Sequence, residues 1–368
     1  MDNNDSVLNE YSHSPLKSLS RRAFLKLSGA ALVSAVLAGC SQQDTPPTNT
    51  PGDESATIPP SPSTNPPPTD TADEVPTAEP EVSQTDTPEP APISTPSTKE
   101  DTYLSVVRGT DPAAITETAL AAIGGIERFV KPGHDVIIKP NICTDYHPPE
   151  YAVTTNPVVV GTLVKLCLGA GARHVRVMDN PFGGTAGSAY AISGIAEAVE
   201  SAGGEMEVMS PVKYASFDIP EGKDIKSWNI YRDIIEADVV INVPIAKTHS
   251  MTRLTLGGKN FLGVVPNPNQ IHQNIGQRIA DLVSLIRPEL TVIDAMRILI
   301  THGPTGGDLS DVKQTNTVIA SHDIVAADAY AATLFDMQGR DISYIKASAK
   351  MGLGIIDLSS IKIEEVNL

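Results

Sequence analysis

Short apolar runs alternate with stretches of helical spacing through residues 101–368, and that alternation predicts an α/β domain. Residues 136–138, Val-Ile-Ile, follow the turn Lys131-Pro132-Gly133-His134-Asp135 and read as a buried strand. Residues 158–168 have helical spacing, stop at Gly169-Ala170-Gly171 and give way to a strand over 174–178. A second helix over 195–202 ends at Gly203-Gly204. Val239-Val240-Ile241-Asn242-Val243 is another strand, and residues 290–293 and 317–320 add two more. Strands that are apolar on both sides need cover on both faces. The expected fold is therefore a mostly parallel sheet with helices on both faces.

The pattern breaks down upstream. Residues 41–100 are Pro, Thr, Ser and acid, hold about half of the chain's prolines and contain almost no large apolar residue. Such a segment cannot bury enough surface to offset its ordering entropy, so it reads as a disordered tether. It would span about 40 Å as a flexible coil and up to about 190 Å as polyproline II.

Residues 1–40 carry a third pattern. Ser20-Arg21-Arg22-Ala23-Phe24-Leu25-Lys26 precedes an apolar run ending in Leu37-Ala38-Gly39-Cys40. The Arg21-Arg22 pair reads as a twin-arginine export signal, whose partner is the twin-arginine translocation machinery. Its end resembles the lipobox of bacterial lipoproteins, with Cys40 as the lipidation site and a lipid membrane as the second partner. The expected location is outside the cell, anchored by lipid to the outer face of its membrane.

Charge adds one exclusion. The formal net charge is −17, but more than half of that excess lies in the tether. The folded part is moderately acidic, so nucleic acid is not an expected partner. Cys143 and Cys167 are the cysteines left in the body; they leave one disulfide open and allow no cysteine framework.

Polar residues gather where strands end. The strand at 136–138 runs into Lys139-Pro140-Asn141, that at 174–178 into Asp179-Asn180-Pro181, that at 239–243 into Lys247-Thr248-His249, and that at 290–293 into Asp294. Open α/β sheets bind ligands outside the carboxyl ends of their strands. Lys247, Thr248, His249, Lys259 and Asn260 are read as one loop excursion, with Lys139 approaching from a neighbouring strand. Lysines suit phosphate or carboxylate, and Gly257-Gly258 and Gly263 permit close backbone approach. The expected ligand is an anionic small molecule held by Lys139, Asn141, Lys247, Thr248, Lys259 and Asn260. His249, Asp179 and Asp294 are the candidates for proton transfer. Structural ion pairs of Lys247 and Lys259 with Asp179 and Asp294 are the alternative.

These residues also resemble a family. Asn242-Val243-Pro244-Ile245-Ala246-Lys247-Thr248-His249, Leu254-Thr255-Leu256 and Gly258-Lys259-Asn260-Phe261-Leu262-Gly263 look like the signature of the domain of unknown function 362. Lys139-Pro140-Asn141, Thr154-Thr155-Asn156-Pro157, Gly303-Pro304 and Gly352-Leu353-Gly354 fit its pattern in order. The resemblance spans residues 106–368 and implies no assigned activity. Some members carry ferredoxin-like cysteine clusters; Cys143 and Cys167 cannot supply four thiolates, so no iron–sulfur cluster is expected within this chain. The commoner Pro-Lys-x-Lys-Thr-His is here Pro244-Ile245-Ala246-Lys247, which removes the first lysine.

The cofactor stays unknown. Asp179, His249, Asp294, His302 and Asp328 offer oxygen and nitrogen donors, but no HxxxH or CxxC spacing supports a metal. No GxGxxG is present, so no dinucleotide site is expected. His272 follows the lysine loop and could close over the site. Cys143 reads either as a nucleophile or as a small buried thiol. Two functions remain: an exported enzyme acting on an anionic small molecule, redox chemistry included, or a lipoprotein that binds such a solute or a cofactor without turnover.

Overall fold

A computed structural model describes residues 102–368. The export signal with Arg21, Arg22 and Cys40, and the tether at 41–100, lie outside the described residues.

In chain order the elements are β1 (Leu104–Arg108), α1 (Pro112–Ala122), β2 (Asp135–Pro140), α2 (Pro157–Gly169), β3 (His174–Val177), α3 (Ala186–Ile192), α4 (Ile195–Ser201) and β4 (Glu205–Met206). A hairpin, β5 (Tyr214–Asp218) and β6 (Ser227–Tyr231), then leads into α5 (Arg232–Glu236), β7 (Val239–Val243), β8 (Ile245–His249), β9 (Arg253–Thr255) and α6 (Gly257–Asn260). The chain finishes with α7 (Ile275–Ile286), β10 (Leu290–Leu299), β11 (Val312–Ser321), α8 (Ile324–Thr333), α9 (Ser343–Lys350) and β12 (Ile363–Asn367). Local chemistry explains the boundaries. Helix α2 starts where Asn156 accepts the N–H of Val158 and Pro157 supplies a preset first turn. It stops just before Gly171, whose φ of +88° suits glycine.

The main sheet runs β12-β1-β11-β10-β7-β2-β3-β4, with β8 attached to β10 and β9 to β8. Pairings around β2, β3, β4 and β7 are parallel, whereas β11 runs antiparallel to both β1 and β10. Period-2 alternation sorts the strands into two cores. Val136, Ile138, Val239 and Ile241 pack with α1, α2 and α4, while Ile137 and Val240 face the side covered by α7, α8 and α9. The expected fold is the observed one, a mostly parallel sheet covered on both faces.

After β2 the chain moves outward to β3 and β4, then returns on the other side of β2 as β7. The strand order thus reverses between β2 and β7, and a crevice opens beyond the carboxyl ends at such a reversal. Lys139 and Asn242 are register partners at this point. A slip of one residue would swing both into the opposite apolar core.

Two segments differ from the sequence expectation. Residues 247–249 are not a loop; they form β8, antiparallel to β9 with Lys247 opposite Thr255. Strand β10 does not stop at residue 293 but runs to Leu299, because β11 pairs along its length across a bulge between Ala295 and Arg297. Asp294 therefore lies inside a strand instead of past its end.

Candidate functional site

Beyond the carboxyl ends of β2 and β7 lies a cavity of about 620 Å³. Its lining includes Lys139, Asn141, Cys143, Asp179, Lys247, His249, Thr255, Lys259, Asn260 and His272. Three ammonium groups there face one carboxylate, Asp179, so the lining is electropositive. Phe182 and the segment Pro266–Asn269 form part of the same lining.

The floor is a saturated polar cluster. Lys139 is fully buried and its Nζ donates to Asp179 Oδ1 at 2.6 Å, Pro140 O at 2.8 Å and Asn260 Oδ1 at 3.0 Å. Those three bonds use every hydrogen of its ammonium group, leaving none for a ligand. Burial pulls its pKa down, and the charge of Asp179 opposes that pull. Asp179 also accepts the N–H of Asn180 at 2.9 Å and that of Ile142 at 2.6 Å. Gly263 presses on this pair: a Cβ there would sit 1.9 Å from Asp179 Oδ1.

Asn260 is the hub of the floor. Its Nδ2 donates to Asn242 Oδ1 at 2.9 Å and to Lys139 O at 3.1 Å. Its Oδ1 accepts from Lys139 and, at 3.0 Å, from Asn141 Nδ2. The hub is held in place by Asp328 on α8, whose carboxylate accepts the N–H groups of Gly257 and Gly258 at 2.7 and 2.8 Å. Burial raises Asp328 to a pKa of about 7. A Cβ on Gly257 would come 2.7 Å from that carboxylate, which explains the glycine.

The wall has spare chemistry. Lys247 Nζ donates to Val153 O at 2.6 Å and lies 3.2 Å from Cys143 Sγ, which leaves one ammonium hydrogen. Lys259, half-buried, has no hydrogen-bond or ion-pair partner among the described residues. Burial pulls its pKa down to about 8, helped by the nearby charges of Lys247 and Lys139. His249 is pushed to about 3 by burial, then by Lys259 and Lys247. Its Nδ1 accepts the N–H of Met251 at 3.1 Å, so the neutral ring carries its hydrogen on Nε2. Two buried polar atoms on residues of the lining, Asn141 Oδ1 and Thr255 Oγ1, have no partner among the described residues.

Most of the candidate binding and proton-transfer residues meet here, and two, Thr248 and Asp294, do not. Thr248 points away from Lys247 and His249, as alternation along β8 requires, and its Oγ1 accepts the N–H of Gly303 at 3.2 Å. Asp294 is buried outside the lining, where its Oδ2 accepts the N–H of Asn156 at 2.7 Å and its Oδ1 that of Met296 at 2.9 Å. Burial raises it to about 6. It braces the start of α2. The alternative pairing of Lys247 and Lys259 with Asp179 and Asp294 gives way to Lys139–Asp179.

His302 sits against Asp311, and Asp328 caps α6, so neither faces the cavity. Among the described residues no group of three or more His, Cys, Asp or Glu is placed to hold a metal ion. Both oxygens of Asp179 are already engaged and three ammonium groups stand near, so this donor set fits an anion better than a cation. Cys143 and Cys167 are both free, the first in the lining and the second in the core, where burial pushes its thiol up to about 12.

Sequence reasoning missed Thr255 and Asn242. A lone amide inside the apolar strand Val239–Val243 was the available signal for Asn242. Thr255 offered none, since threonine is at home in a strand.

The domain of unknown function DUF362 matches residues 136–333. The curated relative "Thylakoid-associated protein sll1697" of Synechocystis sp. is 27% identical, over 65% of this chain and 75% of its own length. Among solved structures, the lactate racemase apoprotein from Thermoanaerobacterium thermosaccharolyticum superposes with a TM-score of 0.39 at 15% identity. That superposition covers 63% of this chain and 57% of the racemase chain.

Proposed function

The chain belongs to the family of the domain of unknown function DUF362, and from that premise we propose an enzyme that transfers a proton on an anionic small molecule. One observation carries this reading: Lys259 has no partner among the described residues, and burial beside two further lysines brings its pKa to about 8. A lysine poised there is part ammonium and part amine near neutral pH, which suits both anion binding and proton transfer. Lys247 contributes its remaining hydrogen to the anion. His249, held neutral, donates from Nε2 to the oxygen on which charge develops. Lys139 and Asp179 position the floor beneath Asn260.

The proposed setting is the outer face of the cytoplasmic membrane. Export through the twin-arginine machinery and a lipid on Cys40 rest on Arg21-Arg22 and on Leu37-Ala38-Gly39-Cys40. A thylakoid-associated relative is in keeping with a membrane location. Cell fractionation checks this part: Cys40→Ser should move the chain from the membrane to the soluble fraction.

Calorimetric titration of the full chain with inorganic phosphate and with small carboxylates tests the site. Lys259→Met should weaken binding by about tenfold or more, the scale of a lost charge-assisted hydrogen bond. Unchanged binding would overturn the assignment. Bound anions that exchange no carbon-bound hydrogen with deuterated solvent would reduce the protein to a binding lipoprotein.

A further inference from the structure

The amides of the floor form a chain with a fixed direction. At one end Asn242 Nδ2 donates to Gly257 O at 3.0 Å, a carbonyl that can only accept. Asn242 Oδ1 must then accept, and it does so from Asn260 Nδ2 at 2.9 Å. Asn260 Oδ1 faces outward and takes Lys139 Nζ at 3.0 Å, a group that can only donate. The same oxygen takes Asn141 Nδ2 at 3.0 Å.

No member can turn over. Flipping Asn260 would set its NH₂ against the ammonium of Lys139, and flipping Asn141 would set two carbonyl oxygens 3.0 Å apart. The oxygen is therefore the amide atom left over on Asn141, a residue of the cavity lining. That oxygen is buried, with the residue 9% exposed, and has no partner among the described residues. An acceptor held in an electropositive cavity, beside groups that call for an anion, sets a second condition on the occupant.

We infer that the ligand of this cavity carries, besides its anionic group, a hydrogen-bond donor such as a hydroxyl or amine that meets Asn141 Oδ1. The inference rests on the anion-binding reading above and narrows it. A fully ionised oxyanion has no hydrogen to offer that acceptor. Anions with a hydroxyl or amine nearby satisfy both conditions at once. Asn141 thus acts as a specificity residue, and Asn242 and Asn260 position it.

Matched pairs test this with the full chain. Isothermal titration would compare 2-hydroxyethanesulfonate with ethanesulfonate, glycerate with propanoate, and glycerol 3-phosphate with propyl phosphate. The sulfonates stay ionised, so a protonated oxyanion cannot mimic the hydroxyl. The hydroxylated member should bind roughly ten- to hundredfold tighter, the cost of leaving a buried acceptor unsatisfied. In Asn141→Ala that preference should fall to near unity. Equal affinities within the pairs overturn the inference and leave the anion site standing, and so does a preference that survives Asn141→Ala. Binding by none of the six overturns the anion site itself. The comparison in the unaltered chain decides the matter even where Asn141→Ala does not fold.

Discussion

Lys139 Nζ and Asp179 Oδ1 lie 2.6 Å apart, both buried, with the backbone of Gly263 closed over them. A buried pair of this kind holds only while its geometry is intact. Gly263→Ala puts a methyl 1.9 Å from the carboxylate and forces the pair apart. The expected loss is about 3–5 kcal/mol of folding stability in urea denaturation. Gly169→Ala, where a methyl meets nothing within 4 Å, is the control and should cost nothing. Equal stabilities for the two variants would refute the role of the pair.

Anion affinity should fall as pH rises through about 8, where Lys259 loses its proton. The sign follows from the charged form being the binding form. Lys259→Arg, which stays charged, should carry the affinity on to about pH 10. Because His249 titrates near 3, no step should appear between pH 5 and 7 from this ring. Titration calorimetry across pH 5–10 reads both features, and a lone midpoint near 6.5 would speak for His249 instead.

Cys143 gives a chemical gauge of the cavity's charge. Lys247 lies 3.2 Å from its sulfur, and Lys259 shares the lining. Anionic iodoacetate should alkylate Cys143 faster relative to neutral iodoacetamide than it does an ordinary thiol, by about tenfold. Lys259→Met should reduce that bias, with Lys247 left to sustain the rest. Mass spectrometry of the Cys143 peptide follows both rates, and an unbiased ratio in the unaltered chain would argue against an electropositive cavity.

Asp328 should make the fold respond to pH in an unusual direction. Its folded pKa, about 7, lies above the ordinary carboxylate value, so its contribution is full at low pH and is lost as pH rises through 7. Asp294, raised to about 6, acts in the same sense. The stability cost of Asp328→Asn should thus be larger at pH 5 than at pH 8. Denaturation at the two pH values measures it; a cost that grows toward pH 8 would contradict the raised pKa.

How much of this could be read from the chain alone depends on range. Val239–Val243 and the run at 136–138 were visible because buried parallel strands are apolar throughout. Lys139, Asn141, Asp179 and Lys247 were visible because polar residues follow such strands at the ligand-binding edge. Asp294 was misplaced because the length of β10 is set by β11, a partner whose pairing no local pattern announces. Thr248 sits beside Lys247 in sequence, and only the hairpin with β9 imposes the alternation that turns it away. The three-asparagine chain was illegible for a further reason. Asn141, Asn242 and Asn260 come from segments far apart in sequence, and the direction of their hydrogen bonds exists only once they meet.

Three ammonium groups in the cavity belong to a folded part that is itself moderately acidic. An approaching anion therefore meets a field that changes sign: repulsion at long range, attraction over the last few ångströms. Dissolved salt weakens the first within a Debye length of about 8–10 Å but hardly reaches the second. Added salt should then speed the anion's arrival while leaving its residence time nearly unchanged, the reverse of a protein that steers its ligand in from afar.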